Sequence, residues 1–270
     1  NGKLGWSPFQ SDIIDYQEPS PRGIICDQFL QFLDSYKSYF KKYPHSERIK
    51  HYVRGELNNS IQGYLETILQ KEPTIKPEER SKYYETVLRN TKKLGTLIEE
   101  LFELSKFDAQ DVQPDMEQVS MAELAQDLVQ QFKPLAEQKG ITLKAVLPDE
   151  PSNLVYADIA LMERAISNLI DNALKHTPEG GTVSIVSKND DNNVSFTISD
   201  TGKGIAEENI QRIFDRFYQE DPSRTVGSGA GLGLSIAQKI LELHGSKLSV
   251  ESGSGKGTSF SFVLSPQMSY

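Results

Sequence analysis

Two asparagines four residues apart, Asn168 and Asn172, stand in the stretch NLIDNALKHTP (168–178). On a helix this spacing puts both amides on one face, with Lys175 and His176 one turn further on. An amide oxygen is a neutral, hard ligand suited to Mg2+, a cation that keeps several waters and bridges nucleotide phosphates. Lys175 can then neutralise a phosphate as a point charge. Further along, Asp200 follows the alternating segment VSFTIS and precedes Gly202 and Gly204. A carboxylate at a strand end accepts a hydrogen bond from an exocyclic amine such as adenine N6, and glycines let a flat base approach the backbone.

A third group of residues completes this chemistry. Gly227, Gly229, Gly231 and Gly233 run straight into an apolar helical segment. Free N–H groups and a positive helix end at that point make a natural polyphosphate site. A Rossmann reading fails, because these glycines do not follow a first strand and lack the G-x-G-x-x-G spacing with a downstream acid. A Walker-type loop fails for want of Gly-Lys-Ser/Thr.

The stretches NLIDNALKHTP, DTGKG (200–204), FDRFY (214–218) and GSGAGLGL (227–234) occur in this order. With them, residues 110–266 resemble the catalytic ATP-binding domain of bacterial sensor histidine kinases, in the superfamily that includes gyrase, heat-shock and mismatch-repair ATPases. The four look like its N, G1, F and G2 boxes, and GKGTSFSF (255–262) looks like its closing strand motif. The resemblance implies an α/β sandwich of the Bergerat type, with ATP and Mg2+ under a lid at about residues 217–230. It implies Asn172 as principal Mg2+ ligand with Asn168 supporting it, and Asp200 as the adenine reader. Lys175, His176 and the lid glycines would hold phosphates. The implied nucleotide-binding set also includes Gly202, Gly204, Gly229, Gly231, Leu232, Gly233 and Thr258. The hydrolysing ATPases place a glutamate at position 168 to activate water. Asparagine there, as in histidine kinases, implies a protein acceptor. Arg216 in FDRFY is read as a contact to the γ-phosphate or to the helical domain, or as a structural salt bridge.

Such a kinase needs a histidine whose imidazole nitrogen attacks the γ-phosphorus, and neutral imidazole is available near pH 7 because its reference pKa is about 6.5. Of His45, His51, His176 and His244, the last two lie in the ATP domain. The family's acceptor segment reads His, acid, Leu, Arg, Thr, Pro, Leu, then Ile-x-Gly-Tyr a few residues on. In IKHYVRGELNNSIQGYLET (49–67), alignment without a gap puts Tyr52 at the histidine position. Alignment on His51 retains Arg54 and Leu57 and requires one extra residue before Ile61. Ile49, Val53, Leu57 and Ile61 recur in steps of four, one residue more than a heptad seam uses, which is what an insertion leaves. His51 lies about 200° around the helix from Ile49 and Val53, so it points outward. It is therefore the expected acceptor. Tyr52 stands in place of the usual acid, Gly55 of the threonine and Glu56 of the proline. Glu47, one turn earlier, is the candidate for a substitute base, the other reading being a solvated surface glutamate.

These residues require two kinds of scaffold. Helical patterns run from about Ser46 to Lys71 and from Pro77 to Asp108. In the second, Tyr84, Val87, Thr91, Leu94, Ile98, Leu101 and Ser105 alternate steps of three and four, the seam of a shallow-angle bundle. One hairpin gives too little core, so two chains are expected to pair into a four-helix bundle. Beyond DAQDVQP, a capping-box signal at Ser120 and Glu123 starts a helix that Gly140 ends. Strands at 141–147, 154–156, 182–188, 193–199, 247–252 and 258–264, with helices at 158–176 and 232–244, suggest an α/β layer on a single sheet. The fold class is thus α+β. The domains are a segment 1–44 with an amphipathic helix, a phosphotransfer hairpin 45–111 and a catalytic domain 112–270.

Composition bounds the partners. Net charge is −9 over 270 residues, and pI is near 5.1, which argues against nucleic acid or an anionic membrane surface. The single cysteine, Cys26, excludes an intrachain disulfide and suits a reducing compartment. With no apolar run of bilayer length, the expected localisation is cytoplasmic, with any membrane attachment through a sensor region absent from this chain. The expected function is a sensor histidine kinase core that autophosphorylates and passes the phosphoryl group to an aspartate on a response regulator receiver domain. The rival is a degenerate kinase that binds ATP or a partner kinase and regulates without autophosphorylation. An ATP-hydrolysing clamp is disfavoured by Asn168.

Overall fold

A computed structural model describes residues 59–71, 74–148, 154–190, 193–219 and 231–266. The chain divides into two compact units, Asn1–Glu99 and Glu100–Tyr270. In the first, helix α1 (Asn59–Lys71) is followed by α2 (Pro77–Asp108), whose last turns belong to the second unit. The rings of Tyr64 and Tyr83 meet with centroids 5.5 Å apart, joining α1 to the start of α2. Of the expected seam, Val87, Thr91, Leu94, Ile98, Leu101 and Ser105 are buried, and Tyr84 is half-buried. The extra residue expected between Leu57 and Ile61 lies largely outside the described residues, and His45, Glu47 and His51 lie wholly outside them.

The second unit continues with β1 (Glu117–Ser120), α3 (Met121–Gln138), β2 (Thr142–Val146), β3 (Leu154–Ala157) and α4 (Ile159–His176). Then come β4 (Thr182–Asp190), β5 (Asn193–Asp200), α5 (Gly233–Leu243), β6 (Ser249–Ser252) and β7 (Thr258–Leu264). The main sheet has the order β2-β4-β5-β7-β6, with β2 and β4 parallel and the other pairs antiparallel. The expectation of a single sheet needs correction. Residues Glu117–Ser120 form a further strand that pairs antiparallel with β3, making a separate two-stranded sheet. Four residues with one apolar side chain, Val119, carry too little alternation to announce a strand.

Alternation sets which face is buried. Along β5, Val194, Phe196, Ile198 and Asp200 face inward, and along β7, Thr258, Phe260, Phe262 and Leu264 do so. The register places Phe196 opposite Phe262, where the rings stack with centroids 5.2 Å apart, and Ile198 opposite Phe260. Helices α3, α4 and α5 supply the other layer, with Met162, Ile166, Leu169, Ile170, Ile236 and Ile240 buried. Each fully buried side chain of this size contributes roughly 1.5–3 kcal/mol. The same alternation that buries the phenylalanines puts a carboxylate, Asp200, at the inward-facing end of β5.

Helix ends are fixed by local chemistry. Ser120 caps α3 by accepting the Glu123 N–H at 3.3 Å, and Gly140 follows the helix with φ +65°. Asp158 caps α4 by accepting the Leu161 N–H at 3.0 Å, and its other oxygen accepts the Asp115 N–H at 3.0 Å. Among the described residues, no helix is long and apolar enough to cross a membrane.

Candidate functional site

The site is assembled where α4, the end of β5 and the start of α5 meet. Asp200 is 8% exposed and sits between Val183 of β4 and Thr258 of β7 in the sheet register. The Gly202 N–H donates to its Oδ1 at 2.7 Å. Burial pushes its carboxyl above the ordinary range, while hydrogen bonds from the Gly202 and Thr258 backbones pull in the opposite direction without cancelling the effect. A buried carboxylate with unused acceptor capacity is thus aimed from the sheet end, as a reader of an amine requires.

Gly202 ties this carboxylate to α4. A Cβ at position 202 would come within 2.7 Å of Asp200 Oδ1 and would also collide with the carbonyl of His176. Only glycine permits the loop after β5 to lie against the last turn of α4. On that helix Asn168 and Asn172 are half-buried, and Lys175 and His176 are exposed. Asn168 packs beside the start of α5, since a Cβ at Gly233 would stand 3.5 Å from its side-chain oxygen. Its Nδ2 is buried and has no hydrogen-bond partner. An unmet buried donor costs about 1–3 kcal/mol, which a polar ligand would offset.

Helix α5 begins without help from a side chain. Its N-cap is Leu232, which offers no acceptor, so the N–H groups of the first turn have no side-chain cap. These donors and the positive helix end form an anion site beside Asn168. The arrangement can therefore hold a base at Asp200 and phosphates between α4 and α5. The amides of Asn168 and Asn172, four residues apart on α4, are a donor set that fits Mg2+.

Two expected residues are engaged elsewhere. Lys175 forms an ion pair with Asp171, one turn back on α4. Arg216 donates through Nη2 to both carboxylate oxygens of Asp108, at 2.7 and 2.8 Å. Asp108 is the last residue of α2, so the arginine touches the helical segment in this structure. A second pairing lies nearby on the same helix. Arg164 of α4 donates to Glu103 at 3.2 Å and lies 3.8 Å from Glu100. Burial raises the carboxyl of Glu100 against the opposing charges of Arg164 and Lys175.

Gly204, Gly231, Leu232, Gly233 and Thr258 all lie in the described site region, whereas Gly227 and Gly229 fall outside the described residues. Sequence reasoning missed Gly257. Its φ is +77°, and a Cβ there would collide with the carbonyl of Asp200. The second glycine of GKGTSFSF, directly before the closing strand, was the available signal. His244, whose place in the sequence excludes it as the acceptor, caps the end of α5. It is 7% exposed, with Nδ1 2.7 Å from the Ile240 carbonyl and Nε2 accepting the Asp158 N–H at 3.0 Å. It links the end of α5 to the cap of α4, a structural role.

Comparison with known proteins adds two domain matches. Residues 157–268 match the model of the histidine kinase-, DNA gyrase B- and HSP90-like ATPases, and residues 59–110 match that of the His Kinase A (phospho-acceptor) domain. The latter match begins C-terminal to His51. The sensor protein SrrB of Staphylococcus aureus is 34% identical over 206 residues, covering 76% of this chain. The aligned part is 35% of SrrB, so the chain corresponds to about a third of that relative. Among solved structures, full-length ShkA in complex with AMPPNP superposes with a TM-score of 0.62 at 26% identity, over 83% of this chain and 46% of that one. Histidine kinase ThkA in complex with response regulator TrrA gives 0.67 at 22% identity, over 89% of this chain and 66% of that one. The last likeness is one of fold.

Proposed function

We propose, since this chain belongs to the two-component sensor histidine kinases, that it binds Mg-ATP between α4 and α5, phosphorylates His51 and passes the phosphoryl group to a receiver-domain aspartate of a response regulator. The observation that carries the reading is the junction at Gly202 and Gly233. It brings a buried carboxylate, an amide with an unmet donor and an uncapped helix start together.

The residues divide the work. Asp200 accepts the adenine N6 amine, and Gly202 and Gly204 let the loop that follows it pack against the end of α4 and the backbone at Gly253. Asn172 and Asn168 hold the metal and its waters. Bound Mg2+ supplies charge neutralisation of the phosphate oxygens. The first-turn N–H groups of α5 and the glycines before it hold the polyphosphate, with His176 and a Lys175 released from Asp171. In the transfer, a neutral imidazole nitrogen of His51 forms a bond to the γ-phosphorus as the bond to the ADP oxygen breaks. Glu47 takes the imidazole proton, and ADP leaves. Arg216 reaches either the transferring phosphoryl group or, as seen here, Asp108. Two copies pair through the hairpin of α1 and α2, and the ensemble is the cytoplasmic portion of a sensor.

The deciding measurement incubates the chain with Mg2+ and γ-labelled ATP. Acid-labile label is expected on the parent chain and absent from His51→Gln. Nucleotide binding without any label would replace this reading with that of a regulatory, non-phosphorylating relative.

A further inference from the structure

Ser252 ends β6 and touches three residues on two segments beside Asp200. Its Oγ accepts the N–H of Ile205, in the loop after Asp200, at 2.9 Å. It donates to the Gly257 carbonyl at 2.8 Å. It also lies 3.0 Å from Thr258 Oγ1, a contact in which either hydroxyl could donate. A serine hydroxyl has one proton and two acceptor lone pairs. With that proton directed at Gly257, Ser252 can only accept from Thr258. The Thr258 proton is thereby committed to Ser252, and Thr258 has only lone pairs left to offer a ligand.

Thr258 stands directly opposite Asp200 in the pairing of β5 with β7, and both side chains face inward. An ionised carboxylate is also acceptor-only. Resting on the nucleotide-binding reading above, we propose that Ser252 is a specificity-determining positioning residue: by orienting the Thr258 hydroxyl it makes the base-reading wall of the pocket purely hydrogen-bond accepting. Such a wall matches adenine, whose exocyclic N6 amine donates. It opposes guanine, which presents the O6 acceptor at the same position. With guanine seated in the same pose, O6 takes the place of the N6 amine and meets only acceptors there, and unpaired buried polar groups are the strong source of discrimination.

The test measures displacement of a fluorescent ATP analogue from the full chain by ATP and by GTP, with Mg2+ present. The parent should prefer ATP. Ser252→Ala frees the Thr258 hydroxyl to rotate and donate to O6, so the ATP-over-GTP preference should fall by about tenfold, the equivalent of one hydrogen bond. Ser252→Thr, which keeps the hydroxyl, should restore it. A merely structural serine would weaken both nucleotides by the same factor, and that result overturns the proposal. Thr258→Val is isosteric and removes the acceptor, so it too should lose preference, and adding Ser252→Ala to it should change the ratio no further. Full preference retained in Thr258→Val overturns the proposal even if Ser252→Ala does not fold. A parent chain that binds neither nucleotide overturns the nucleotide reading itself and this inference with it.

Discussion

At the scale of residues, Asp200 carries two opposed demands. Its carboxyl is raised above the ordinary range chiefly by burial, so the free fold is more comfortable with the proton on. Stability from this group is fully present below the unfolded carboxylate pKa and is lost as pH rises through the raised folded value. The proposed adenine-reading role runs the other way, because the ionised carboxylate is the stronger, acceptor-only partner for an amine. Adenosine affinity should therefore decline as pH falls, beginning above the usual carboxylate range, while the free protein gains stability from the same proton. Adenosine is the suitable probe because it has no phosphate that titrates there. Asp200→Asn should weaken adenosine binding by at least about tenfold, the worth of one charge-assisted hydrogen bond, and should flatten its pH dependence in this range. Calorimetric titration of the parent and Asp200→Asn between neutral and mildly acidic pH checks both statements. An unchanged affinity would mean the base is read elsewhere.

At the scale of elements, the position of α4 and α5 depends on a node that no motif names. His244 is engaged at both ring nitrogens, Nδ1–H donating to the Ile240 carbonyl and Nε2 accepting from the Asp158 N–H. Asp158 in turn caps α4. His244→Ala should lower stability by about 1–3 kcal/mol, since it leaves a partly buried N–H without its acceptor. Chemical denaturation measures the change, and a loss of only a few tenths of a kcal/mol would show that water replaces the ring. The contrast between this node and the nucleotide motifs explains what was legible. Gly202 was readable because backbone clearance restricts that position to glycine, and Asn168 and Asp200 stood out by the ligand chemistry their types and spacing offer. The long helices were readable from their period, and Pro77–Asp108 emerged with the expected bounds. Strand β1 was not, since Glu117–Ser120 owes its form to pairing with β3 rather than to its own pattern. His244, Ser252 and Gly257 were missed for the same reason. Their partners are far away in sequence, as with Asp158, or depend on a turn whose shape the residues alone do not fix.

At the scale of the whole molecule, the two ways of dividing the chain make different physical claims. Composition shifts at DAQDVQP place the start of the catalytic domain at residue 112, whereas the compact second unit begins at Glu100. The residues between them supply Glu100 and Glu103, which face Arg164 on α4, and Asp108, which pairs with Arg216. Arg216 and Asp108 are each about two-fifths exposed, at 42% and 41%. That pair is thus worth only about 0.2–1 kcal/mol. Arg164 and Glu103 are less exposed, at 38% and 25%, and removing both glutamates leaves a half-buried guanidinium unpaired on α4. If these turns of α2 belong to the catalytic unit, a fragment of residues 100–270 should melt several degrees above one of residues 112–270. For domains of this size each kcal/mol corresponds to about 2–4 °C. Both fragments should bind ATP with similar affinity, because the residues proposed to contact nucleotide all lie beyond residue 154. Arg164→Met placed in the longer fragment should remove part of the difference and leave the shorter fragment almost unchanged. Thermal melts of the four proteins decide the matter. Equal melting temperatures for the two parent fragments would return the end of α2 to the helical hairpin and the domain boundary to residue 112.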